Sequence, residues 1–210
     1  WSSDVCSSHL GDQEIFSTQT MIEQFTWERF SLGGPVFDLT KLLWMNSQYL
    51  KDLPDDTWVS LLKEQVFNDH YLKQIIPLIK ERVQSFEEFI PNTDFFFSGD
   101  LKYENTPILP KGLSGKVVSN WFSEVLEGFE NLDEWTVANI KEVMEKFVAD
   151  KKIKAKDLFM PMRVAVSGTL VSPPLMETIQ VLGKEMVRRR MRLAMAYLAA
   201  QKEVAQPANK

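Results

Sequence analysis

The residues best placed to do chemistry lie between Pro161 and Arg192, in PMRVAVSGTLVSPPLMETIQVLGKEMVRRRMR. From Lys151 to Arg192 ten Lys/Arg stand against three acids, Asp157, Glu177 and Glu185, a local balance of +7. The whole chain has a formal charge of -5, so the remainder carries -12. An acidic chain that gathers its cations into one block offers a site for an anion, although a solvated basic helix face would give the same count. Arg163 stands near Ser172-Pro173-Pro174, a turn whose two prolines fix φ and remove two N–H donors. An always-charged, planar donor beside a rigid turn makes a small polar pocket.

The elements that must hold this pocket can be read from the same stretch. Ser172 is a natural N-cap for a helix starting near Pro174, with Leu175, Ile179 and Leu182 on one face. Gly183 follows the last apolar residue of that face and reads as a C-cap in the left-handed region. Lys184 then opens a second helix reaching about Ala200, with Val187, Met191, Ala194, Met195 and Leu198 inward. Upstream, Gly168 and Thr169 end the apolar run after Arg163, which places Arg163 near the start of a short helix.

The pattern Pro-x-Arg-x-Ala-x-x-Gly, then Ser-Pro-Pro-Leu, then Leu-Gly-Lys-Glu followed by Arg-Arg-Arg resembles the C-terminal end of bacterial-type glutamyl-tRNA synthetases. A second, independent match lies at FTWERFSLGGPVFDLTKLLWMNSQYL, Phe25 to Leu50, above all in Phe37-Asp38-x-x-Lys41-Leu42-x-Trp44-x-Asn46. It resembles the stem-contact segment of the same enzymes. The resemblance runs from about Gly11 to Leu198. It implies an all-α fold in which a helical stem-contact remnant, 11–54, precedes two small helical anticodon-binding subdomains, 55–104 and 105–200. Residues 1–10, WSSDVCSSHL, read as a non-native or disordered leader and 201–210 as a disordered tail.

The rest of the chain agrees with an ordinary soluble composition, 44% hydrophobic and 25% charged over 210 residues. No apolar run approaches the roughly 20 residues of a membrane span, and no signal-peptide pattern opens the chain. Cys6 is alone, and His9 and His70 are the only histidines, so neither a disulfide framework nor a zinc-ligand set can be assembled. No Gly-rich phosphate loop and no nucleophile with a His partner is present. Helical spacing predicts a short helix capped by Ser17, a buried helix over 36–49, a helix over 57–67 capped by Asp56, and a helix capped by Asp69 with Leu72, Ile75, Ile76, Ile79 and Val83 on one face and a kink at Pro77. Ser85-Phe86-Glu87-Glu88 reads as a capping box opening a helix that Pro91 stops. Lys116–Phe129 and a segment from Thr136 complete the pattern, with Trp121 and Trp135 as core rather than stacking platforms. No strand alternation is sustained.

The resemblance also assigns roles. Arg82, Arg163, Ser172, Pro173 and Leu175 fall at anticodon-contact positions: Arg163 and the turn would hold the first base, Pro173 and Leu175 would pack on splayed bases, and Arg82 would read the last base. Read on its own, Arg82 lies off the apolar stripe and would serve equally as a solvent-facing helix residue. Glu14, Ser31, Leu32, Lys41 and Trp44 are implied stem contacts, although a snorkelling Lys41 is the plainer reading. Lys184, Arg188, Arg189 and Arg190 are expected to face the RNA backbone, as are Lys151, Lys152, Lys154, Lys156 and Arg192. The implied partner is tRNA(Glu), bound by a cytoplasmic monomer with no membrane or DNA in play. The parent enzyme would join glutamate to that tRNA with ATP and magnesium. Its His-Ile-Gly-His and Lys-Met-Ser-Lys type signatures are missing here, so this chain needs no cofactor and should be inactive alone. The rival is an α-helical interaction module whose basic block binds an acidic partner.

Overall fold

The computed structural model describes residues 15, 17–25, 38–104 and 106–200. Among them every regular element is helical, as expected for an all-α chain. By internal contacts the chain divides into two compact units, one up to Gln65 and one from Val66.

The first unit holds α1, Thr18–Gln24, α2, Leu39–Lys51, and α3, Asp55–Leu61. Ser17 and Asp38 cap α1 and α2, their side chains accepting from Thr20 N and Lys41 N, which satisfies donors that a helix start leaves open. The expected burial of α2 is not met: none of its residues is buried, and Leu39, Leu42, Leu43, Trp44 and Tyr49 are exposed. Apolar spacing shows that a face exists and does not supply a partner for it. Asp56 does not cap α3, which starts at Asp55 behind Pro54 and passes into a π turn at Leu62–Val66, and Asn68 rather than Asp69 caps the helix that follows. The Trp58 indole donates to Leu50 O at 2.9 Å.

The second unit packs α4, Asp69–Ile79, α5, Phe89–Phe97, α6, Gly115–Glu130, α7, Val137–Lys151, α8, Ala155–Ser167, and α9, Leu175–Ala200. Its core joins Ile75, Phe95, Val118, Phe122, Ile140, Met144, Leu158, Met162, Ile179 and Met191. α9 lies against α4, α6, α7 and α8 and is the spine of the unit. It bends at Gly183, so two helical segments meet there as expected, but its φ of 79° with a ψ of 157° is a conformation only glycine adopts without strain rather than the expected left-handed cap. Trp121 and Trp135 pack edge-on against Phe147 and Phe129, in keeping with a core role.

Three local expectations change. α4 stops at Ile79, leaving Arg82 in a turn rather than on a helix face. The Glu88 carboxylate accepts from Gln84 N instead of Ser85 N, and Ser85 makes no side-chain cap. Pro91 does not end α5: it sits in the first turn, where the missing N–H has no partner to lose, and the helix runs on to bury Phe95 and Phe96.

Within the second unit one core takes residues from both sides of position 105, from Ile75, Phe95 and Phe96 to Leu198. Arg190 is 0% exposed. Its Nη1 donates to Val166 O at 2.5 Å, and Nη2 donates to Phe95 O at 2.6 Å and Ser98 O at 2.5 Å. The expectation that Arg190 faces RNA is therefore corrected. It closes the C-terminal ends of α5 and α8, where carbonyls have no intrahelical donor and the helix dipole favours a cation.

Candidate nucleic-acid interface

Between α8 and α9 the chain makes the turn Gly168–Pro174. Gly168 takes φ 74° as the left-handed cap of α8, a position where a side chain would be strained. Thr106 Oγ1 donates to Gly168 O at 2.9 Å, and Thr169 Oγ1 donates to Val171 O at 2.7 Å. Arg163 lies near the end of α8, not near the start of a helix as expected, because α8 begins at Ala155 and carries Pro161 inside it. That placement aims its side chain at the turn.

Arg163 Nη1 donates to Ser172 O at 3.1 Å, Ser172 Oγ at 2.5 Å and Pro173 O at 2.8 Å. Ser172 is therefore not the N-cap of α9. Its hydroxyl donates to Pro173 O, and Pro174 O accepts from Thr178 N to open the helix. Arg82, from the turn after α4, donates through Nη1 to the same Ser172 O at 2.7 Å. Two guanidinium groups remote in sequence thus meet at one carbonyl oxygen.

Their Nη1 atoms lie within about 6 Å of each other, because two short bonds end on one oxygen. At an effective dielectric near 20, unit charges at that spacing repel by about 3 kcal/mol, less where water reaches them. Burial, and then the neighbouring Arg82 charge, hold the half-buried Arg163 guanidinium below the usual arginine range. No carboxylate offsets this: among the described residues neither arginine forms an ion pair, and their Nε and Nη2 groups have no protein acceptor. The result is a fixed pair of donor forks that still has hydrogen bonds to give.

The other cations of the block are mostly spent on the protein. Arg188 pairs with Glu130 through both Nε and Nη2 and with Glu185, Arg189 pairs with Asp100 at 2.6 Å, and Lys184 donates to Glu130 O at 2.9 Å. Lys151 pairs with Glu124 at 2.7 Å. These bonds draw the Glu130 and Asp100 carboxyls below their usual range. By contrast Lys152, Lys154, Lys156 and Arg192 are exposed and form no ion pair among the described residues. Composition makes the whole block look free. Which cations have acid partners across the fold is a tertiary fact.

Pro173 and Leu175, expected to pack on bases, are both buried, Leu175 being 6% exposed within the core. Lys41 and Trp44 lie on α2 in the other unit, while Glu14, Ser31 and Leu32, with the leader and tail, lie outside the described residues. Sequence reading missed Thr106 and Thr169, which fix the turn, and Tyr103, whose buried hydroxyl donates to Ala165 O and is pushed up to about 12 by burial. No local pattern marks any of them, because their partners lie elsewhere in the fold or their role depends on the turn's conformation.

A helical unit that converges two arginines, neither in an ion pair among the described residues, on a rigid turn offers a site for a polyanion, and by its match over residues 42–195 the chain belongs to the anticodon binding domain family. It is 32% identical over 187 residues to a glutamate-tRNA ligase of Pseudomonas fluorescens and 34% identical over 187 residues to one of Ectopseudomonas mendocina. Each alignment covers 89% of this chain and 38% of the relative, so the chain spans well under half the length of those ligases. A crystal structure of a glutamate tRNA ligase from Elizabethkingia meningosepticum is similar at 25% identity and a TM-score of 0.57, over 92% of this chain and 39% of that one.

Proposed function

We propose that this chain binds tRNA(Glu) and reads its anticodon, as the RNA-recognising part of a ligase that joins glutamate to that tRNA. The observation that carries the proposal is the meeting of Arg82 and Arg163 at Ser172 O, with neither in an ion pair among the described residues. RNA is read by sequence where loop bases are unstacked and their edges can meet planar donors. Nε and Nη2 of the two arginines offer such donors from a rigid frame. The His-Ile-Gly-His and Lys-Met-Ser-Lys type signatures expected of an ATP site are not in this sequence. The adenylate chemistry of the relatives' family is therefore assigned to the rest of such a ligase.

Arg82 is assigned the last anticodon base, a cytosine in glutamate tRNAs and a guanine in glutamine tRNAs. Its donors match the O2/N3 edge of cytosine and oppose guanine's own donors, a mismatch that leaves polar groups unpaired at about 1–3 kcal/mol. Arg82→Gln adds an acceptor and removes the charge, so the preference between transcripts differing only at that base should narrow about ten- to a hundredfold by that arithmetic. The test is binding of the chain and the variant to both transcripts. An unchanged ratio would remove Arg82 from the reading site.

A further inference from the structure

The turn that holds the two arginines also presents two apolar side chains to water. Val171 is 82% exposed and Leu170 is 42% exposed, directly before Ser172. This exposure is not that of a loose loop. The carbonyls of Gly168, Val171, Ser172 and Pro173 each accept a side-chain hydrogen bond, from Thr106, Thr169, both arginines, and Arg163 respectively. The backbone is fixed on both sides of the tip, yet most of the Val171 side chain stays open to water.

We propose that the Leu170–Val171 tip is the apolar wall against which an unstacked RNA base packs while Arg163 or Arg82 bonds its edge. The inference rests on the anticodon-reading proposal and gives it the surface that the buried Pro173 and Leu175 do not offer. Recognition of a splayed base needs two things side by side, an apolar contact for the ring face and planar donors for the edge. Only here, among the described residues, does an apolar tip adjoin arginines with uncommitted donors and no acidic partner. The charge also selects the occupant: two cations without a carboxylate favour a polyanion over a neutral apolar segment.

The experiment titrates the full chain with an anticodon stem-loop RNA of glutamate tRNA and with the same stem closed by a stable tetraloop. Val171→Ser removes the apolar surface without changing charge, and Val171→Leu keeps it. With a side chain this exposed, neither should change the thermal melt. Val171→Ser should weaken stem-loop binding about tenfold, as expected when burial of a Val-sized apolar surface is lost. The loss should be equal at every salt concentration, since no phosphate contact is touched. Val171→Leu should bind as the parent does, and the tetraloop RNA should not distinguish the three proteins. Unchanged stem-loop binding by Val171→Ser overturns the tip while leaving the arginine reading standing. Absence of stem-loop binding by the parent chain overturns both. Binding of a poly-glutamate peptide that is equally sensitive to Val171→Ser would make the occupant an acidic protein segment, and that too overturns the proposal.

Discussion

Replacing Arg190 by Met removes the donor on which two helix ends converge, and the structure sets the size of the effect. Three of its bonds, to Val166 O, Phe95 O and Ser98 O, are 2.5–2.6 Å long, and a fourth reaches Gly99 O at 3.4 Å. Met fills most of the stem's volume but donates nothing. Two buried carbonyls and one part-buried carbonyl left without this donor cost about 1–3 kcal/mol each, and removing the buried guanidinium returns part of that, so the expected net loss is about 3–5 kcal/mol. Arg190→Lys keeps the charge and loses the fork, so it should fall between the parent and Arg190→Met. Arg189→Ala is the comparison, because it lies next in sequence but makes only an exposed ion pair with Asp100, which water and salt screen. Urea unfolding followed by tryptophan fluorescence measures all three. Unfolding of Arg190→Met at the urea concentration of the parent or of Arg189→Ala would refute the structural role. So would an Arg190→Met protein that stays folded by circular dichroism and mainly flattens the salt dependence of RNA binding, since that is the signature of a phosphate contact.

Two further outcomes follow from the chemistry of the chain. The 210-residue chain alone should show no glutamate-dependent pyrophosphate exchange above background, and measurable exchange would reverse that assignment. Acid should weaken the fold through Asp100 and Glu130. Hydrogen bonds from Arg189 and Arg188 lower these carboxyls in the folded chain, so their contribution is present above their ordinary values of 3.8 and 4.5 and is lost as pH falls through the lower folded values. Urea midpoints measured from pH 6 to pH 3 should drop less in Asp100→Asn and Glu130→Gln variants than in the parent. An equal drop would mean that neither ion pair stabilises the chain.

Much of the fold is legible because helix spacing and caps are local. Ser17 and Thr136 accept from a backbone N–H at the helix starts where the sequence puts them, α4 is capped by Asn68, one residue before the expected Asp69, and the periodic runs after Ser114 and Thr136 form α6 and α7 with their apolar faces inward. Gly183 is legible for the same reason, since a positive φ at the end of an apolar face needs no distant residue to explain it. Partnership across the chain is what local pattern leaves out. The turn and Arg163 can be placed together because nine residues separate the hydrogen-bonded pair, but Arg82 reaches Ser172 O from ninety residues away. Pro91 and Pro161 mislead for a different reason. Proline forbids a hydrogen bond rather than a helix: Pro91 stands in a first turn, where no bond is lost, and α8 runs through Pro161.

The three consecutive arginines show how little charge alone says about a nucleic-acid face. Arg188, Arg189 and Arg190 point three ways around one helix, about 100° apart per residue, so no single surface can present them together. One pairs with Glu130 and Glu185, the next with Asp100, and the third is buried among carbonyls, so all three hold α9 to its neighbours. An acidic chain has carboxylates to spare for such pairing, and it can keep cations for a polyanion only where no acid is within reach. The turn beside Arg163 meets that condition. Its two arginines repel one another and are held by a neutral carbonyl, an arrangement that a bound anion or a base edge relieves and that a carboxylate would have cancelled.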